Sequence, residues 1–296
     1  MSADAQAARR ILLFGAGGQL GRRLAERLAP RDQVRGLRHG DCDIGDSAAV
    51  RAAIAAYRPE IIVNAAAYTA VDRAEDEPDQ AYAANAVAPG VMAEEARAIG
   101  AVLVHYSTDY VFDGRASRPY RETDPTAPLG VYGASKREGE ERVMAAGGCT
   151  YILRTAWLYA RTGRNFLTTI ERLARERTGL ADRPLTIVAD QTGSPTSVGA
   201  LAAATEGILR HAGLRDLGGL YHATCGGETT WYGFAQAIVA GLQIAADVRP
   251  ITTADYPTRA RRPAYSVLSG AHLQELFDIR MPSWQDALAG CLQRES

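Results

Sequence analysis

The chain has 296 residues with 33 Lys+Arg against 34 Asp+Glu, a net charge of −1 and a pI near 6.5. That balance supplies no field able to gather nucleic acid or anionic membrane without regard to sequence. No apolar run reaches the roughly 18 residues of a membrane-spanning helix.

The length predicts one or two domains with ample core. The first apolar stretch, Ile11 to Phe14, is too short for a secretion signal, so a cytoplasmic protein is expected. Cys42, Cys149, Cys225 and Cys291 are far apart, with no CxxC pair and no histidine at ligand spacing, and read as isolated thiols.

In chain order, a strand at Arg10–Phe14 runs into the glycine-rich Gly15–Gly21, then a helix over Arg22–Leu28 closed by Pro30. A second strand is predicted at Gln33–Leu37 and a helix at Ser47–Tyr57. A third strand, Ile61–Val63, runs into Asn64-Ala65-Ala66-Ala67. A long helix is expected over Asp79–Ile99 despite Pro89, and a fourth strand over Ala101–Tyr106. Strands alternating with helices mean right-handed βαβ units and a doubly wound parallel sheet of Rossmann type, an α/β fold. From Tyr151 the pattern loosens: a strand at Tyr151–Arg154, a helix at Asn165–Glu176, a strand near Leu185–Val188, a helix at Val198–His211 and a strand at Leu220–Ala223. We therefore expect an NAD(P)-binding domain over residues 1–155 and a smaller C-terminal substrate-binding region over 156–296. The stretch around 218–225 is expected to return to the main sheet. Residues 1–8 read as disordered.

A glycine-rich turn between a first strand and first helix brings backbone N–H groups and a helix N-terminus against a pyrophosphate. Gly15, Gly18 and Gly21 fit GxxGxxG, whereas Leu20 occupies the last glycine position of GxGxxG. The turn by itself also admits a tight packing turn. Cofactor choice is read at the end of the second strand, where an acid binds ribose hydroxyls and an arginine accommodates a 2′-phosphate. Arg38 stands there, with no carboxylate before Asp41 and Asp43, so NADPH is favoured and NADH remains possible. The other reading of Arg38 is a solvated surface residue.

Tyr132 and Lys136 are spaced i and i+4, one face of one helical turn. Lys136 is the only lysine of the chain. A codon bias with one leftover lysine explains the count alone, but the spacing suggests chemistry. An ammonium is a compact charge that lowers a neighbouring phenol's pKa and donates to a ribose, which the wider, always protonated guanidinium does less well. Tyr132 then serves as general acid, giving its proton to a carbonyl oxygen as hydride arrives at carbon, and the Thr108 hydroxyl holds that oxygen. A surface YxxxK on a helix is the plain alternative.

GxxGxxG, an NAAA segment after a middle strand, Ser107-Thr108 at a strand end and YxxxK together resemble the extended short-chain dehydrogenase/reductase family. The segments Gly18–Gly21, Asn64–Asp72, Ser107–Gly114, Gln191–Thr196 and Arg262–Leu268 narrow the resemblance to the dTDP-4-dehydrorhamnose reductases within it. The resemblance implies NAD(P)H-dependent reduction of the C4 ketone of a dTDP-linked 4-keto-6-deoxy sugar, giving dTDP-L-rhamnose. It implies that Tyr132 donates the proton, that Lys136 supports it and binds ribose, and that Thr108 polarises the ketone. Asp109 would bind sugar, and Trp157 would pack on it; an ordinary core aromatic is the other reading of Trp157. Gly18, Gln19, Leu20, Ala65, Ala66, Ala67 and Tyr106 match the cofactor's bed, and Asp43-Ile44 resembles the pair beside the adenine.

The same resemblance separates neighbouring chemistries. Related 4,6-dehydratases carry an Asp-Glu pair after the threonine, and here Tyr110 follows Asp109, so reduction is expected over dehydration. An epimerase shares the tyrosine and lysine, but Val111–Gly114 favours the reductase. A reductase forming the C4 epimer, dTDP-6-deoxy-L-talose, would share these residues. The regulatory subunit of methionine adenosyltransferase also resembles these reductases and works by binding a partner enzyme. Some relatives bridge a dimer through a metal held by a Glu two residues past the last glycine. Arg23 stands there, so no metal and a monomer or weak homodimer are expected. Arg259, Arg261 and Arg262 read equally as a pyrophosphate-binding cluster or a solvated loop.

Overall fold

The computed structural model describes residues 8–178 and 183–293. The expectation of disorder at residues 1–8 therefore falls, except for Ala8, outside the described residues. The first half contains β1 (Arg10–Phe14), α1 (Gln19–Leu28), β2 (Gln33–Leu37), α2 (Ser47–Tyr57), β3 (Ile61–Asn64), α3 (Val71–Ala74), α4 (Pro78–Tyr82), α5 (Ala88–Ile99), β4 (Val102–Thr108), α6 (Val131–Ala146) and β5 (Thr150–Thr155). The second half contains β6 (Leu158–Tyr159), α7 (Phe166–Glu176), β7 (Leu185–Val188), β8 (Thr192–Gly193), β9 (Thr196–Ser197), α8 (Val198–Arg210), β10 (Gly219–His222), β11 (Thr229–Thr230), α9 (Trp231–Gly241), β12 (Val248–Ile251), α10 (Ala271–Phe277) and α11 (Trp284–Gln293).

Six parallel strands form the main sheet in the order β10-β5-β4-β3-β1-β2. Alternation along β1 divides the core. Ile11 and Leu13 pack with Leu24 of α1 and Leu201 of α8, while Leu12 and Phe14 pack with Val50 and Ile54 of α2 and Met92 of α5. Both faces being covered, the strands carry continuous apolar runs rather than polar alternation. A third cluster joins α7, α9 and α11 around Phe234 and Trp284. β10 closes the β5 edge of the sheet, as the Leu220–Ala223 run anticipated.

Several strand ends shift by one or two residues, and two departures from expectation are larger. α1 starts at Gln19, three residues earlier than Arg22, because Gly18 itself takes the extended N-cap conformation. The long helix over Asp79–Ile99 is broken into α4, a π-turn at Ala83–Val87, and α5. Pro89 has no N–H to give the Asn85 carbonyl four residues back, and the widened turn absorbs the missing bond. α6 then packs so closely on that carbonyl that any side chain at Gly139 would collide with it.

Strand order reverses between β1 and β3, and ligands of open α/β sheets bind beyond the carboxyl ends of the strands at such a switch point. No described helix is long and apolar enough to cross a membrane.

Candidate active site

The switch point opens into a cleft of about 1360 Å³. Gly15 sits at φ +78°, and a Cβ there would lie 2.6 Å from the backbone of Ala65 and Ala66. Glycine is thus required twice over, by the left-handed backbone and by the meeting of the β1 and β3 loops. Gly18 caps α1 without any side-chain hydrogen bond, leaving first-turn N–H groups open where Gly18, Gln19 and Leu20 line the cleft. The cradle and the positive end of the helix dipole fit the pyrophosphate of a dinucleotide.

Arg38, just past β2, lines the same cleft with its aliphatic stem against Gly17 and its head exposed. Ile44 is buried, and the exposed Asp43 carboxylate accepts the Gly45 N–H at 2.9 Å. Both line the cleft with Ala65, Ala66 and Ala67, and the Ala66 N–H is fixed by Asn64 Oδ1 at 3.1 Å. Two expected cofactor groups are spent within the protein. The Gln19 side chain donates to the Arg164 carbonyl and accepts from Asn165, and the Tyr106 hydroxyl pairs with Thr205 at 2.8 Å. Both residues still line the cleft.

α6 brings in the tyrosine and lysine. Its N-terminus is held by Glu75, whose carboxylate accepts the Val131 N–H at 2.8 Å. Gly133 lets the first turn close against the Tyr110 carbonyl, where a side chain would collide. Tyr132 thereby meets the end of β4, beside Thr108 and edge-on to Tyr110 at 5.6 Å between ring centroids. Thr108 also accepts the Tyr110 N–H and donates to Asp109 Oδ1, each at 3.2 Å. Lys136 is buried one turn on, and its Nζ donates to the Tyr106 carbonyl at 2.6 Å and lies 3.4 Å from His105 Nε2.

The electrostatics differ in one respect from the expected lowering of the phenol. Burial, with Asp109 and Tyr110 nearby, pushes the Tyr132 pKa up, and the neighbouring Thr108 hydroxyl only partly opposes it. Burial also brings Lys136 down to about 8 against the pull of Glu140. Lys136 points to a carbonyl and an imidazole rather than acting as the phenol's ion partner. A phenol with a raised pKa remains protonated at neutral pH, the form an acid must start from. Asp109, fully buried, is lifted to about 6 by the same loss of solvent, and its Oδ2 has no hydrogen-bond partner among the described residues. Asp109 lines the cleft, and the Ser266 hydroxyl beside its carboxylate partly opposes the rise.

Trp157 is also on the cleft, but in an unexpected setting. Its φ is +47°, a conformation costing a bulky residue about 1–3 kcal/mol. Its indole stacks on Trp231 with centroids 3.4 Å apart and planes 3° from parallel. A sugar cannot use that covered face. Of the arginine cluster, Arg259 pairs with Asp76 at 2.5 Å and Arg262 with Asp72 at 2.9 Å, fastening that loop to the α3 region. Arg259 and Arg261 are exposed, as the solvated-loop reading has them, whereas Arg262 is turned in on Asp72.

Sequence reasoning missed His105, Asn64, Asn85 and Trp231. Asn85 is buried in the π-turn, accepts the Tyr68 N–H at 2.9 Å and donates to Ser135 Oγ at 3.1 Å, so it ties the β3 loop to the residue before Lys136. A lone Asn in a helical pattern carries no mark of this. Arg23, expected to rule out a bridging metal, bonds to Glu26 at 2.9 Å.

The family model described as the RmlD substrate binding domain matches residues 9–296. A dTDP-4-dehydrorhamnose reductase of Burkholderia thailandensis is 43% identical over 96% of this chain and 98% of its own length. A Streptomyces antibioticus protein named a probable dTDP-4,6-dihydroxy-2-methyloxan-3-one 4-ketoreductase is 46% identical over 94% of this chain and 93% of its own. Among solved structures, dTDP-4-dehydrorhamnose reductase of Bacillus anthracis in complex with NADP superposes with a TM-score of 0.90 at 36% identity, covering 96% of this chain and 98% of that one.

Proposed function

Since the chain belongs to the RmlD family, whose model spans residues 9–296, we propose that it reduces the C4 ketone of dTDP-4-dehydrorhamnose to dTDP-L-rhamnose with NADPH. The observation that carries this reading is the meeting of Thr108, Tyr132 and Lys136 in the cleft that the glycine turn also lines. Gly15, Gly18 and the open first turn of α1 would hold the pyrophosphate, and Arg38 the 2′-phosphate. A bound reduced nicotinamide supplies hydride to the carbonyl carbon.

The protein's own groups do the rest. Thr108 and Tyr132 direct their hydroxyls at the ketone oxygen and stabilise the charge that grows on it. Tyr132 gives up its proton, completing the alcohol. Lys136, released from the Tyr106 carbonyl, would donate to ribose and stabilise the phenolate left behind. Asp109 Oδ2 would accept a hydroxyl of the sugar. Within this proposal residues 1–155 bind the cofactor and 156–296 shape the substrate site, with 218–225 back in the sheet. The protein would work in the cytoplasm as a monomer or weak homodimer, on a dTDP-sugar and on neither nucleic acid nor membrane.

A second reading has one observation in its favour: the Streptomyces relative is named for a different dTDP-linked ketone. Purified protein, dTDP-4-keto-6-deoxyglucose, a 3,5-epimerase and either NADPH or NADH test both, with nicotinamide absorbance followed and the product sugar identified by NMR. Rapid NADPH oxidation yielding dTDP-L-rhamnose is expected. A talose product would move the assignment to the C4-epimeric reductase. Folded protein that binds NADPH but turns over none would sink the proposal and favour another ketone or a regulatory role.

A further inference from the structure

The Trp157 indole is covered on both faces. Trp231 stacks on one. A side chain at Gly193 would begin 2.5–2.7 Å from Cε2, Cζ2 and Nε1 of Trp157, with no atom of Trp231 among its three nearest neighbours. Trp231 overlies the ring almost fully, so Gly193 must lie against the opposite face. With both faces covered, Trp157 meets the cleft by its rim, and Trp231 borders the cleft beside it.

Trp231 is itself held. Its Nε1–H donates to Gln191 Oε1 at 3.2 Å, and Gln191 Nε2 donates on to Thr253 Oγ1 at 3.0 Å. Phe166 packs on it at 4.6 Å between ring centroids. β11, immediately before Trp231, pairs with β8, so Gly193 at the end of β8 and Trp231 at the start of α9 reach the two faces of one indole. This accounts for Gln191 and Gly193 of the Gln191–Thr196 segment, which no catalytic step uses.

We propose that Trp231 is a positioning residue for the sugar: with Gly193 it clamps the strained Trp157 indole so that a fixed rim, rather than an open ring face, bounds the sugar's side of the cleft. The inference rests on the reading above of a keto-sugar reductase. A clamped ring loses no further freedom when substrate arrives, so the cost of ordering it is met in folding rather than in binding. Loosening it from either face should therefore weaken capture of the sugar nucleotide and leave the dinucleotide end of the cleft alone.

The test compares Trp231→Leu, Trp231→Phe and Gly193→Ala with wild type. Stacked aromatic pairs are worth enough that Trp231→Leu and Gly193→Ala should each raise KM for the keto sugar nucleotide about three- to tenfold, with a smaller fall in kcat. NADPH affinity should stay within about twofold, since no dinucleotide-binding group is touched. Trp231→Phe, which keeps an aromatic face, should recover most of the loss. Near-ultraviolet circular dichroism reports the indole pair directly, and Trp231→Leu should abolish its contribution. Loss of that signal with KM unchanged overturns the inference and leaves the reductase reading intact. An equal loss of NADPH affinity overturns it too, as general damage. Wild-type protein that turns over no keto sugar refutes the reductase reading, and the inference falls with it. If Trp231→Leu does not fold, Gly193→Ala and Trp231→Phe still decide the matter.

Discussion

Tyr132 is set apart from the other tyrosines by its partners. It stands beside Thr108 in a site where burial holds its proton on, so in the proposed reaction its removal would take away the acid but not the fold. Tyr132→Phe should lower kcat by about 10²–10⁴-fold with NADPH affinity retained, as titration of folded protein would read. Near-wild-type turnover would remove Tyr132 from the mechanism. Asp109 carries a second consequence. Its folded pKa, about 6, stands above the ordinary 3.8, so the native state binds the extra proton between those values. Its contribution to stability is therefore full below 3.8 and is lost as pH rises through about 6. Asp109→Asn lacks that titration, so thermal melts across the window should show the variant gaining on wild type as pH rises, and parallel curves would contradict the assignment. The meeting of Tyr132, Lys136 and Thr108 in one cleft was legible because the proposed chemistry dictates which residue types must come together. The covered faces of Trp157 were not, since Trp231 is brought there by pairing of β8 with β11 across more than thirty residues of sequence.

At the scale of elements, α6 carries the site and β5 holds α6. Tyr132, Lys136 and Glu140 fall at i, i+4 and i+8, one stripe of the helix. Glu140 makes a two-pronged pair with Arg154 of β5, at 2.8 and 2.7 Å, with both side chains at 5% exposure or less. Removing one partner leaves an uncompensated buried charge, so Glu140→Gln should cost about 3–5 kcal/mol in denaturant unfolding. Replacing both by leucine should restore much of that loss, because the desolvation of two charges is removed along with their attraction. A loss below about 1 kcal/mol for Glu140→Gln would show that the pair is solvated and does not anchor α6. The sequence foresaw that Tyr132 and Lys136 share a face of α6, yet nothing in it marked Glu140, since Glu on a charged helix normally faces water. The π-turn is a comparable case: Pro89 announced a break, but not that the turn would carry Asn85 to Ser135.

At the scale of the molecule, the doubly wound sheet was legible because parallel strands buried on both faces leave continuous apolar runs between helices, and only β10 had to be placed across a long gap. The loosely patterned region after residue 155 yielded less, because its paired strands are only two to four residues long and depend on distant partners. The cleft nevertheless joins both regions: Gly15, Ala65 and Tyr132 line it from one, and Trp157, Leu158 and Val198 from the other. A ligand that fills it must therefore stabilise the whole chain. At a concentration 100 times its Kd, NADPH should add about 2.7 kcal/mol to unfolding. With Arg38 reading the 2′-phosphate, NADPH should raise the melting temperature more than NADH at equal concentration, and Arg38→Ala should erase the difference by weakening NADPH alone. Equal shifts for both cofactors in the wild type would show that Arg38 stays in solvent and that the adenosine end of the site makes no use of its charge.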